Sequence, residues 1–169
     1  MKNASLRCCG RLHAAVIVSS AVACGGASAT ASSVSAAPSG ASAGERCIAA
    51  AGAQRERKSS EPDRIGVKHV LVRYAGAKRA PSSITRTREE ACLRAEEALA
   101  KLKEGTYFAD VVARYSDEDG AATREGSIGT IERADVAPPF ADAAFELGLR
   151  EVSAVVETPF EFHVILRVE

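Results

Sequence analysis

The first residues that could do chemistry lie in "VKHVLVRYAGAKRAPSS", from Val67 to Ser83. Val67, His69, Leu71 and Arg73 alternate with Lys68, Val70, Val72 and Tyr74, the period of a strand. The apolar pattern then stops, and Arg73, Lys78 and Arg79 fall within seven positions. An imidazole titrates near neutrality and can hold either tautomer. Arginine binds phosphate or carboxylate through charge-assisted hydrogen bonds. The stretch therefore places a histidine inside a sheet and an anion-holding cluster just past the strand's end. A second histidine, His163, lies in the last strand-like segment of the chain.

Composition bounds what these residues can serve. The chain has 169 residues, with 22 Lys and Arg against 22 Asp and Glu. Zero net charge argues against a general nucleic-acid binder, so the cluster at 73–79 is a local site. There is no Trp, and the core must be built from Val, Ile, Leu and Ala. Cys8, Cys9 and Cys24 lie in the N-terminal segment, and Cys47 in an Ala-rich polar stretch. No C-x-x-C or Cys/His metal spacing is present. No disulfide framework is expected, and Cys92 reads as a small buried apolar residue.

The elements that must carry the site follow from periodicity. Residues 65–74 read as a strand. "TRTREEACLRAEEALAKLKEG" reads as a helix capped by Thr85 or Thr87, with Glu89 and Glu90 in its first turn and an apolar stripe at Ala91, Ala95, Ala98, Leu99 and Leu102. "YFADVVARYS" is a shorter helix, "SIGTIER" a strand, and "APPFADAAFEL" a third helix with proline in its first turn. "SAVVET" and "FHVILRVE" are strands joined by a turn at Pro159. The order β-α-α-β-α-β-β predicts an α+β domain with a small, mainly antiparallel four-stranded sheet packed by helices.

The strand with His69, the loop "YSDEDGAATREGSIG", "PPFADAAFEL" and the closing "TPFEFHVILRVE" together resemble a parvulin, a cofactor-free peptidyl-prolyl cis-trans isomerase. The resemblance runs from Gly66 to Glu169. "PSSITRTREEA" after Arg73, Lys78 and Arg79 looks like the branch directed at phosphoserine– or phosphothreonine–proline bonds, with Ala80 as a one-residue insertion. The resemblance implies that His69 and His163 lie side by side beneath the site and orient it. It implies that Ile128, Val136 and Phe140 line the proline pocket, Val136 replacing a longer side chain. Glu118 stands where relatives carry Cys or Asp, with Asp119 one position away, and Thr158 matches a hydroxyl beside the histidines. Arg73, Lys78 and Arg79 would hold an anionic side chain before the proline. Glu161 stands where Gly is common. The alternative reading is a parvulin-fold chaperone or peptide-binding module without useful catalysis. The partners expected are unfolded, proline-containing polypeptides and no nucleic acid. A monomer with no metal is expected.

Ahead of the domain, Lys2, Arg7 and Arg11 precede an apolar run from Leu12 to Ala23, the order of a secretory signal. "AVACGG" resembles a bacterial lipobox, which would make Cys24 the lipidated N-terminus; Ala21-Val22-Ala23 and Ala27-Ser28-Ala29 would equally suit ordinary signal peptidase. The expected division is a signal peptide over 1–23, a flexible Ala/Ser/Gly-rich tether over 24–63 and an isomerase domain over 64–169. The expected address is the bacterial envelope: periplasm or outer membrane as a lipoprotein, with Gly25 favouring the outer membrane, or secretion as second choice. The membrane would be touched only through the anchor. Acidic or phosphorylated residues before proline are the expected preference, in the folding of exported proteins.

Overall fold

A computed structural model describes residues 40–169; the expected signal peptide and Cys24 lie outside the described residues. Helix α1 spans Ala43–Ala51, strand β1 Ile65–Val72, helix α2 Arg88–Lys103, helix α3 Phe108–Tyr115, strand β2 Ser127–Ile131, helix α4 Pro138–Glu146, strand β3 Val156–Glu157 and strand β4 Phe162–Arg167. A single 3₁₀ turn, Arg133–Asp135, leads into α4. The four strands form one antiparallel sheet in the order β2-β1-β4-β3. From Ile65 onward this is the expected α+β order.

The two faces of the sheet are sorted by the period-2 alternation of β1 and β4. Val70, Val72, Phe162 and Val164 pack with the apolar stripes of α2 and α3. Ile65, Val67 and Ile165 pack with Phe140, Ala144 and Phe145 of α4. His69 and His163 belong to this second face. His69 pairs across the ladder with Ile165, and Leu71 with His163. The histidines are therefore diagonal neighbours, close enough for two rings to meet.

Local chemistry sets the element ends. Thr87 caps α2: its hydroxyl accepts from the Glu90 amide at 3.1 Å, and the Glu90 carboxylate accepts from the Thr87 amide at 2.7 Å. Proline opens α4 where a missing N–H is harmless. Strand β1 stops two residues earlier than expected, because the Arg73 amide turns to Asp117 Oδ2 at 2.9 Å. The expected strand "SAVVET" shrinks to Val156–Glu157. At Ser153 the hydroxyl accepts from the Ile165 amide at 2.9 Å, so a side chain replaces the backbone partner of a regular ladder.

The expected tether is corrected over 43–63. Helix α1 lies within it, closed by a capping box between Ser42 and Glu45. Cys47 and Cys92 form a disulfide joining α1 to α2, which corrects the reading of Cys92 as a lone apolar residue. Gly44 lets the helices approach; a Cβ there would meet Glu89 Cβ at 2.6 Å. Beyond α1 the chain is strapped to the α4 side. Arg55 pairs with Glu146, Lys58 Nζ donates to the Glu146 carbonyl at 2.7 Å, and Arg133 Nε and Nη2 donate to Glu61 at 2.7 and 2.9 Å. Composition could not show this, because a disulfide and long-range ion pairs add to the small apolar face of α1.

Candidate active site

The α4 face of the sheet carries a continuous chain of hydrogen bonds. Glu118 Oε2 lies 3.0 Å from His69 Nε2, His69 Nδ1 lies 3.3 Å from His163 Nδ1, and His163 Nε2 lies 3.2 Å from Thr158 Oγ1. Both histidines are buried at 5 % exposure. Thr158 Oγ1 accepts from the amides of Phe160 and Glu161, both at 3.3 Å. Its hydroxyl proton has two acceptors in reach: the Glu161 carbonyl at 3.1 Å, which also receives the Thr158 amide at 2.9 Å, and His163 Nε2 at 3.2 Å.

Burial, aided by the nearby His69, holds the His163 pKa well below its ordinary value, so the ring is neutral. The hydrogen bond from His69 holds the Glu118 carboxyl below the usual carboxylate range, with Arg124 contributing. Arg124 Nη2 lies 2.6 Å from Glu118 Oε2, while Asp119 offers Arg124 only its carbonyl, at 3.1 Å. Glu118, not Asp119, faces the histidines. Gly126 keeps this loop against the strand. The His69 amide donates to its carbonyl at 2.8 Å, its φ is +75°, and a Cβ there would overlap the His69 carbonyl oxygen.

Above the histidines lies a cavity of about 160 Å³ lined by Ile128, Val136 and Phe140, together with Ala137 and Phe160. Phe140 stands edge-on to both imidazoles, with centroids 5.9 Å from His69 and 5.1 Å from His163. A larger depression of about 580 Å³ lies between Ala51–Glu56 and Pro138–Pro139; it contains neither histidine.

The basic trio forms the rim of the smaller cavity. The Lys78 Nζ and the Arg79 guanidinium lie 5.9 and 5.4 Å from the centre of the Phe160 ring. Arg79 has a positive φ of 64°, a cost of order 1 kcal/mol for a non-glycine residue. Arg73 Nη1 donates to the Asp117 carbonyl at 3.0 Å, and Arg86 joins the Arg73 carbonyl to the Asp117 carboxylate.

Residues 53–169 match the PPIC-type PPIase domain family. The chain belongs to the parvulin family of peptidyl-prolyl cis-trans isomerases. It is 37 % identical over 115 residues to the peptidyl-prolyl cis-trans isomerase pin1 of Schizosaccharomyces pombe, covering 65 % of each chain. It is 38 % identical over 72 residues to the foldase protein PrsA of Halalkalibacterium halodurans, covering 43 % of this chain and 22 % of that one. The chain thus spans less than two thirds of the length of these relatives. The solved peptidyl-prolyl isomerase ESS1 of Candida albicans aligns at a TM-score of 0.58 and 26 % identity, covering 63 % of both chains.

In this parvulin, Ile128, Val136, Phe140, Thr158 and both histidines surround one cavity, Glu118 joins it from below, and Arg73, Lys78 and Arg79 stand at its edge. Sequence reasoning missed Arg124, the partner of Glu118, and the scaffold of Asp117 and Arg86 behind Arg73. These are ordinary loop charges in sequence, and only the fold shows which of many carboxylates and guanidinium groups meet.

Proposed function

We propose that this parvulin accelerates cis–trans isomerisation of X–Pro bonds, prefers an acidic or phosphorylated residue before the proline, and acts on unfolded polypeptides outside the cytoplasm. The observation that carries the proposal is the apolar cavity set directly on a buried, hydrogen-bonded histidine pair. Rotation about an X–Pro bond must cross a barrier of about 20 kcal/mol, because conjugation is lost in the perpendicular form. No covalent step is needed. The proline ring packs against Phe140, Ile128 and Val136, where water is excluded and the twisted amide loses less solvation than the planar forms. The Glu118 carboxylate, aimed by His69 and Arg124, disfavours the charge-separated planar amide by placing negative charge near its carbonyl. The histidines hold that carboxylate and the floor of the site, and transfer no proton.

The rim supports the preference for an anionic residue, since three cations converge on the edge of the proline cavity. The Cys47–Cys92 disulfide supports an oxidising compartment, because such bonds are rare in cytosolic proteins. The name of the foldase relative supports a role in folding. Lipidation at Cys24 would tie the domain to a membrane, with the chain from Gly25 to Ser42 as the remaining span. The test is NMR exchange spectroscopy on short peptides. Catalysed exchange at Glu–Pro above the uncatalysed rate supports the proposal, and exchange no faster than without protein refutes it.

A further inference from the structure

Glu161 is an ill-paired carboxylate in the wall of the site. It lines the cavity beside Thr158 and Phe160. Its Oε2 lies 3.9 Å from Arg73 Nε and its Oε1 lies 3.8 Å from His163 Nε2, both beyond hydrogen-bond reach. Arg73 Nε is itself buried and has no hydrogen-bond partner among the described residues. An anion and a cation thus face each other at the pocket edge with no hydrogen bond between them, and Arg73 Nε is left without a partner.

Resting on the proposed acid preference, we propose that Glu161 is a built-in stand-in for the substrate's acidic side chain: it covers Arg73 until that side chain displaces it, and so sets how strongly the enzyme discriminates in favour of acidic residues. Three features carry this. The main chain of Glu161 is fixed, its carbonyl accepting the Thr158 amide at 2.9 Å, so only the side chain needs to turn. The Arg73 guanidinium is held in place by its bond to the Asp117 carbonyl. A substrate carboxylate or phosphate that reached hydrogen-bond distance would satisfy Arg73 better than the long contact does. Burial raises the Glu161 carboxyl above its ordinary value, and Arg73 only partly opposes this, in keeping with a weak pair.

The experiment compares kcat/KM for Glu–Pro and Ala–Pro peptides at neutral pH. Glu161→Gln should raise the Glu–Pro to Ala–Pro ratio about fivefold, the worth of roughly one partly exposed charge pair, and the gain should enter through KM. Glu161→Gly should move the ratio the same way, and Glu161→Asp should keep it near wild type. In an Arg73→Gln background the gain from Glu161→Gln should vanish. A ratio that stays put or falls in both folded neutral variants overturns the stand-in, as does a gain that persists without Arg73. If wild type prefers Glu–Pro through Lys78 and Arg79 while both neutral variants leave the ratio unmoved, the stand-in alone fails. If no variant and no peptide shows any preference, the acid reading fails with it.

Discussion

The floor and the rim of the active site differ in how completely their polar groups are satisfied. On the floor, every ring nitrogen of His69 and His163 has a partner, and the chain from Glu118 to Thr158 closes without a gap. At the rim, Arg73 Nε has no hydrogen-bond partner among the described residues, the Glu161 carboxylate lies 3.9 Å from Arg73 Nε and 3.8 Å from His163 Nε2, and Arg79 takes a positive φ. A saturated network resists change and holds one geometry. An unsaturated one is completed by something that arrives. On the function proposed above, the contrast separates a floor that serves any X–Pro bond from a rim that reads the residue before it.

The largest effect should come from the apolar wall between them. Phe140→Ala should remove most activity, about a hundredfold, and cost roughly 3–5 kcal/mol of stability. Denaturant melts and exchange rates on the same sample separate the two. A folded variant with full activity would detach Phe140 from the proline pocket and with it the link between floor and rim.

The disulfide should matter to stability and not to the rim. Replacing both Cys47 and Cys92 with Ser should lower stability by about 4 kcal/mol, the order expected for a closure spanning 45 residues, while the Glu–Pro to Ala–Pro ratio stays constant. A changed ratio would mean that α1 reaches the site.

The floor can be sharpened through Thr158. Thr158→Val leaves His163 Nε2 without its hydroxyl partner and the Phe160 and Glu161 amides without their acceptor, a cost of about 1–3 kcal/mol for each group stranded. Nitrogen NMR of the rings should show a different tautomer balance at His163 in wild type and in the variant. An unchanged tautomer would mean that the hydroxyl does not set it.

A smaller effect follows from the neutral, buried His163. Its pKa is depressed in the folded state, so below about 6.5 the unfolded chain binds a proton that the folded chain does not. Stability should therefore fall as pH drops through that value. The raised Glu161 opposes this trend within its own titration range, and the lowered Glu118 adds to the loss only at lower pH. His163→Gln should flatten the slope between about pH 7 and pH 5.5. A slope identical to wild type would show that another group drives it.

What could be read in advance follows the same divide. β1, α2, α3, α4 and β4 were readable because each buries a regular apolar face, while the meeting of His69 and His163 was readable only through resemblance, since the register of β1 on β4 is set by the fold. Glu118 was readable only through resemblance, since Asp119 is an equal candidate until Gly126 and Arg124 fix the loop. The rim cluster was visible as charge, but its counter-anion was not, because Glu161 meets Arg73 across 88 positions of chain by way of the fold. Helix α1 escaped notice for a related reason. Its inward face, Gly44, Cys47, Ile48 and Ala51, has helical spacing, but three of the four are small and lie in an Ala-rich stretch where the stripe does not stand out.

The most direct test of a rim that reads charge is a ranking. NMR exchange rates on peptides differing only at the residue before proline should order kcat/KM as Glu–Pro above Ala–Pro above Lys–Pro, and charge reversal at both Lys78 and Arg79 should compress or invert that order. Equal rates on all three peptides, or an order untouched by the double reversal, would contradict the account.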